Sequence, residues 1–166
     1  MLADLYTPAG IYLRVRDKFR DTILLESADY HAGENNYSFI CINAIGGIEI
    51  TTPTELEYKL PGSKPEKISI SRQNKIPELL WEFFNRFEIE NPGEKAAAFA
   101  AGMYGYMAYD SIELMESIDL KRKDENNKHI PLVRYRLYQY VIAIDHLRDE
   151  HHLCAIKMDG LKYHGM

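Results

Sequence analysis

A carboxylate and a hydroxyl stand side by side where a short apolar segment of the chain ends. Glu26 and Ser27 follow the run Ile23-Leu24-Leu25, which is typical of a short buried strand. A carboxylate can pair with an ammonium group, and a hydroxyl can donate and accept hydrogen bonds, so this pair could contact a small polar ligand. The residues alone also fit a simpler interpretation, in which Glu26 is solvated and Ser27 caps the following turn.

Other residues of the chain show no pattern that would carry catalysis or metal binding. The sequence contains no GxGxxG after a strand, no GxxxxGK[ST], no HExxH and no GxSxG. His151 and His152 are adjacent in an expected strand, so they should point to opposite faces. The two cysteines, Cys41 and Cys154, are predicted to be buried reduced thiols. The remaining histidines fall in expected loops: His31, His129, His146 and His164.

Length and charge limit the classes of protein that the chain could represent. Its 166 residues suffice for one domain, predicted over residues 1–166. The formal net charge of −5 gives no basic surface for nucleic acid or for an anionic membrane. No apolar run approaches the roughly 18 residues of a membrane span, and the first residues do not resemble a signal peptide. We therefore expect a cytoplasmic protein.

Strands dominate the first part of the chain. The run 11–16 is ambiguous and leans towards helix, whereas 23–25 and 37–42 are strand-like, and residues 29–36 between them have turn chemistry. Gly46 and Gly47 indicate a turn. Three segments that alternate apolar and polar residues then predict an antiparallel meander with one solvated face: 48–51, 56–60 and 68–70.

The second part of the chain mixes helical and strand patterns. A helix is predicted from about Asn74, with Pro77 in its first turn and Trp81 off its apolar stripe. The glycine-spaced run 96–107 indicates a buried strand approached by another backbone. The remaining predictions are a helix capped by Asp110 and Glu113, a charged loop over 121–128, a strand over 133–144 that is covered on both faces after Leu137, and a hairpin to 152–156.

Several short motifs along nearly the whole chain form one combination. They are Thr7-Pro8, Leu24-Leu25-Glu26-Ser27, Tyr37-Ser38-Phe39-Ile40, Gly105-Tyr106 with Tyr109-Asp110, Ile130-Pro131 with Arg134-Tyr135, and Ile144-Asp145-His146. Together they resemble the amino-terminal region of anthranilate synthase component I, a family of enzymes that use chorismate in the first step of tryptophan synthesis. Many relatives have an arginine where this chain has Asn36.

The resemblance implies a regulatory rather than a catalytic role. Pro8, Glu26, Ser27 and Tyr37 match residues that hold feedback tryptophan in that family. The chorismate-converting domain, with its Mg²⁺-binding acids, is expected to be missing after Met166, so no catalytic residue and no cofactor is expected in this chain. The implied partners are tryptophan as effector, the glutamine amidotransferase subunit (component II) of the parent complex, and the missing catalytic domain.

The expected fold is α+β, with an antiparallel or mixed β-sheet that carries helices on one side. In the family, two such halves form an α/β/β/α sandwich. Two alternatives remain open at this point. One is the amino-terminal domain of aminodeoxychorismate synthase component I, from the folate pathway, and the other is a stand-alone ligand-binding module.

Overall fold

The computed structural model describes residues 6–26, 36–70, 76–90, 93–118 and 130–158. Their elements are, in chain order, α1 (Pro8–Val15), β1 (Ile23–Leu25), β2 (Tyr37–Thr52), β3 (Glu55–Lys59), β4 (Glu66–Ser69), α2 (Ile76–Phe84), α3 (Lys95–Ala100), β5 (Met103–Met107), a 3₁₀ helix (Tyr109–Leu114), β6 (Val133–Asp145) and β7 (Glu150–Ala155). Strand pairing follows the order β4-β3-β2-β6-β5, with β1 beside β2 and β7 beside β6. The expected α+β fold is confirmed in its coarser part, since the described residues form a sheet-rich fold with few helices.

The described residues divide into two compact units. Unit 1 comprises residues 1–45, 90–102 and 137–166, and unit 2 comprises residues 46–89 and 103–136. The long strands β2 and β6 each contribute to both units. The two units are described separately below.

In unit 1, α1 covers one face of the strands, and β1 extends the sheet beside β2. Thr7 caps α1, since its Oγ1 accepts a hydrogen bond from the Gly10 N–H at 3.1 Å, and Pro8 takes the first helical position, where no N–H is required. The apolar side of α1 packs against Ile40, Ile42 and Ile144. The predicted helix and the two predicted strands of this region are confirmed.

The opposite face of unit 1 meets another helix. Tyr37 of β2 contacts Phe99 of α3, with ring centroids 5.3 Å apart. Tyr37 and Ile40 differ by an odd number of positions, so their side chains lie on opposite faces of the strand. Helices therefore pack on both faces in this unit, and the expectation of helices on one side is wrong here. The expectation that β6 is covered on both faces after Leu137 is confirmed, since Tyr138, Val141 and Ala143 are also buried.

Unit 2 contains the predicted meander. β2 pairs antiparallel with β3, and β3 pairs antiparallel with β4. The core forms between this sheet and α2, whose buried side chains are Ile76, Leu80 and Phe83. Trp81 points away from the core and is 67% exposed. The helix with Pro77 in its first turn is confirmed.

The chain does not turn at Gly46 and Gly47, because β2 runs unbroken through both glycines. A Cβ atom at Gly47 would overlap the backbone carbonyl of Tyr135, and one at Gly46 would stand 2.8 Å from the carbonyl oxygen of Lys59. These glycines thus permit close approach of neighbouring backbones, which is their other common use in strands. The predicted turn is wrong for this reason.

Two predictions for residues 96–113 also need correction. The run Lys95–Ala100 is a helix rather than a strand, because its four alanines favour helix. Only Met103–Met107 forms the expected strand. The following 3₁₀ helix begins after Ala108 without a side-chain cap, so the Asp110 capping box is wrong. The predicted loop at 121–128 and most of the turn at 29–36 lie outside the described residues.

Both thiols are free, as the sequence predicted. Cys41 is fully buried, and burial raises its pKa to about 12. Cys154 is half-buried, and its pKa is raised by burial and by the charge of Glu94. Among the helices that the structure describes, none is long and apolar enough to span a membrane.

Candidate functional site

The pairing of β1 with β2 sets the position of Glu26. The strands run antiparallel, with Leu24 opposite Ile40 and Leu25 opposite Phe39. Glu26 follows directly and is exposed to solvent. Continuing the register by one residue places Glu26 beside Ser38, at the beginning of β2. The carboxylate therefore stands at the end of a packed strand, where a ligand can reach it.

Pro8 belongs to the helix that packs against this strand. It is the first residue of α1, and α1 contacts β1. The fold thus brings the helix of Pro8 and the strand that ends at Glu26 together within unit 1. Ser27 lies outside the described residues. The effector role predicted for these residues stays a prediction.

Tyr37 opens β2 and lies in an aromatic cluster. Its ring stacks on Phe39, with centroids 6.0 Å apart, and contacts Phe99 on α3. The pKa of the Tyr37 hydroxyl is raised, first by burial and then by its hydrogen bond to Asp145. Strand alternation directs this ring to the face opposite that of Ser38. The structure therefore brings Tyr37 to Asp145 and Phe99, and its predicted contact with the effector stays a prediction.

Asp145 fixes the turn that leaves β6. The residue is 4% exposed, and its Oδ1 accepts hydrogen bonds from the backbone N–H groups of Leu147, at 2.9 Å, and Arg148, at 3.1 Å. Burial alone would raise the pKa of this carboxyl. The hydrogen bonds from Tyr37 and from the two backbone N–H groups outweigh burial and hold the pKa below its usual value. This turn is consequently anchored to the start of β2.

Ser38 and His146 form a contact that the sequence reasoning missed. Ser38 Oγ lies 2.7 Å from His146 Nε2, and Ser38 is 1% exposed. The backbone N–H of His146 also donates to the carbonyl oxygen of Asn36 at 3.0 Å. The two side chains are 108 positions apart, so no local spacing reveals the pair. The available signal was a serine within the otherwise apolar and aromatic run 37–42.

The side chains described offer no clustered ligand set for the Mg²⁺ that the resemblance implies for the parent protein. In the ranges that the structure covers, no group of three or more His, Cys, Asp or Glu residues is arranged to hold a metal ion. We therefore derive no chemical step of this chain through a metal.

Comparisons with known proteins find several relatives, and those described here are all named anthranilate synthase. No family model matches the chain. It is 24% identical over 151 residues to anthranilate synthase component 1 of Lactococcus lactis, covering 89% of this chain and 29% of that protein. It is 27% identical over 139 residues to the component 1 of Aquifex aeolicus, covering 83% of this chain and 26% of that protein. A chloroplastic anthranilate synthase alpha subunit 1 of Oryza sativa is 23% identical over 163 residues, covering 92% of this chain and 27% of the relative.

A solved structure of an anthranilate synthase component I is also similar to this chain. Anthranilate synthase component I from Streptococcus pneumoniae superposes with a TM-score of 0.47 at 18% identity, over 96% of this chain and 31% of that one. The chain spans between 26% and 29% of the curated relatives that it matches. The resemblance indicated by the motifs is thus confirmed: over most of its length this chain is similar to anthranilate synthase component I, consistent with an amino-terminal fragment of such a protein.

Proposed function

We propose that the chain is the amino-terminal regulatory and structural part of an anthranilate synthase component I. The whole protein would convert chorismate and ammonia or glutamine to anthranilate and pyruvate, for tryptophan synthesis. One observation carries this proposal: proteins of that name match 83% to 92% of the chain, while the chain spans less than a third of each. Matches of this kind fit a homologous part of a longer enzyme.

Within that role, we assign part of the tryptophan feedback site to Pro8, Glu26 and Ser27. Tyr37, which the resemblance also implies, has its ring on the opposite face of β2 and would contribute through its backbone. Tryptophan brings an ammonium group that a carboxylate can pair with, and an indole that requires an apolar wall. Glu26 is exposed immediately after β1, and α1 with Pro8 packs on that strand. The remaining wall of the pocket would come from the part of the protein that this chain does not span.

Catalysis belongs to the other part of the protein in this proposal. The described residues contain no cluster of three or more potential metal ligands, and the sequence contains none of the catalytic motifs named above. The sheet of unit 2, against which α2 packs, would form one half of an α/β/β/α sandwich that the catalytic half completes. The glutamine amidotransferase subunit would then bind the assembled component I and supply ammonia.

The test compares two proteins under identical conditions. One is expressed from the complete reading frame that contains this chain, and the other consists of residues 1–166 alone. Each is mixed with chorismate, ammonia and Mg²⁺, and anthranilate is followed by its fluorescence. We expect the first protein to form anthranilate and to be inhibited by tryptophan, and the second to be inactive. Aminodeoxychorismate as the product, or turnover by residues 1–166, would contradict the proposal.

A further inference from the structure

We propose that His146, held in place by Ser38, is a further residue of the effector site and binds the carboxylate of the effector amino acid. The proposal rests on the proposed function, because it assumes that an amino acid binds beside Glu26. It adds a residue that recognises the carboxylate of the ligand, whereas Glu26 would pair with its ammonium group. The argument depends on the geometry where β1, β2 and β6 meet at one end of unit 1.

The first observation is the hydrogen bond that orients the ring. Ser38 is buried and binds Nε2 of His146 at 2.7 Å. An imidazole has two ring nitrogens, so a ring that binds Ser38 through Nε2 can bind another group through Nδ1. The residue His146 is itself exposed to solvent. One nitrogen is thus fixed inside the protein, while the residue remains accessible to a ligand.

The second observation is the rigidity of the turn that carries His146. Its backbone N–H donates to Asn36 at 3.0 Å, and the neighbouring carboxylate of Asp145 accepts from two backbone N–H groups of the same turn. An exposed side chain in a turn normally loses conformational entropy when it binds a ligand. These bonds reduce that loss, because the backbone and one end of the ring are already held.

The third observation places Glu26 next to this ring. The register of β1 with β2 continues from the pair Leu25 and Phe39 to Glu26 and Ser38. By strand alternation, Glu26 shares the face of Leu24, and Ser38 shares the face of Ile40, which is the same face. Glu26 and His146 therefore flank Ser38 on one face. A carboxylate and an imidazole that can donate a proton are suited to the ammonium and the carboxylate of one free amino acid.

The experiment measures binding by isothermal titration calorimetry to the protein from the complete reading frame. Two probes are used, tryptophan and tryptophanamide, which lacks the negative carboxylate. The variants are His146→Ala, Ser38→Ala and Glu26→Ala, and His152→Ala is the matched control. His152 of β7 pairs with Ala143 of β6. Its side chain therefore lies on the other face of the sheet from those of Ile144 and Ser38. Thermal melting of each variant checks the fold.

We expect His146→Ala to weaken tryptophan binding about tenfold or more, the scale of a charge-assisted hydrogen bond, and to leave tryptophanamide binding nearly unchanged. Ser38→Ala should give a smaller loss with the same selectivity, and His152→Ala should give none. If His146→Ala does not fold, His146→Asn replaces it, because asparagine favours turns.

Each other outcome counts against the inference. Equal losses for both probes, or no loss in His146→Ala while Glu26→Ala still weakens tryptophan, would overturn the role of His146 and leave the proposed function intact. No binding of tryptophan to the unmodified protein would overturn both. The two failures are therefore distinguishable in one set of titrations.

Discussion

Gly105 of β5 lies directly against the backbone of Arg134 of β6, so that a Cβ atom at residue 105 would overlap the carbonyl oxygen of Arg134. The sequence predicted a strand here that another backbone approaches closely, and this contact is that approach. It explains why residue 105 has no side chain.

The first prediction follows from this contact. Gly105→Ala should lower the free energy of unfolding by about 1–3 kcal/mol, because the added methyl group forces β5 and β6 apart. Gly102→Ala is the control, since the nearest atom to a Cβ there is 3.8 Å away. Urea denaturation of both variants measures the effect. Equal free energies of unfolding for the two variants would show that β5 and β6 can move apart without loss of stability, and would contradict the prediction.

The second prediction concerns the ion pair of Glu49 in unit 2. Glu49 Oε2 accepts hydrogen bonds from Arg134, at 2.8 Å, and from Arg136, at 2.5 Å. Burial alone would raise the pKa of this carboxyl, but Arg134 and Arg136 together hold the pKa below its ordinary value. Glu49→Gln should lower the free energy of unfolding at pH 7 by about 1–3 kcal/mol.

The effect of Glu49 should depend on pH in a defined direction. Because the folded state has the lower pKa, the carboxylate stabilises the protein above its unfolded pKa of about 4.3, and the stabilisation is lost as pH falls through the folded value. The difference between wild type and Glu49→Gln should therefore shrink below about pH 4. Glu55→Gln, which removes an exposed pair with Lys67, should have little effect at either pH. A difference that grows in acid would contradict the assignment.

The third prediction compares substitutions on the buried and on the exposed side of α2. Leu80 is 6% exposed in the core, whereas Trp81 is 67% exposed. Leu80→Ala should lower the free energy of unfolding by about 2–5 kcal/mol, and Trp81→Ala should change it by less than about 0.5 kcal/mol. In the folded wild-type chain, the fluorescence of Trp81, its single tryptophan, should be readily quenched by acrylamide. A protected indole would mean that another surface covers this side of the helix.

The fourth prediction is self-association of residues 1–166. β5 stands at the end of the strand order, and apolar side chains remain exposed on it and on the following 3₁₀ helix: Tyr106, Met107, Tyr109 and Ile112. Exposed edge strands with apolar side chains favour association. Met107→Lys should reduce self-association in sedimentation experiments more than Leu147→Lys, which removes an isolated exposed leucine. A clean monomer at high concentration, without binding of a hydrophobic dye, would contradict this prediction.

The elements that the sequence predicted correctly have a strong local signal. Pro77 and the apolar stripe of α2 indicate a helix, and the β-branched and aromatic run of β6 indicates a strand. One error fell where a residue type has two uses. Gly46 and Gly47 predicted a turn, but they serve close packing inside β2, which only the neighbouring strands reveal.

The candidate site was predictable only in part. Glu26 was a candidate because it follows a recognisable strand and matches the motif of the resembling family, and its role in the site stays a prediction. Ser38 and His146 were missed as a pair, since their contact depends on β2 and β6 being neighbours in the sheet. The sequence also could not predict the direction of Tyr37, whose ring meets Phe99 and Asp145.

The central claim, that this chain carries part of a tryptophan feedback site, is tested most directly by inhibition curves of the protein from the complete reading frame. Anthranilate formation is measured against tryptophan concentration for wild type, Glu26→Ala and Ser27→Phe. We expect both variants to keep nearly full activity without tryptophan and to require about 10-fold to 100-fold more tryptophan for half-inhibition. For Glu26→Ala this corresponds to the loss of one charge-assisted hydrogen bond, and for Ser27→Phe to a ring that fills the ligand's volume. Unchanged half-inhibitory concentrations would mean that the residues at the end of β1 are structural, and would contradict the claim.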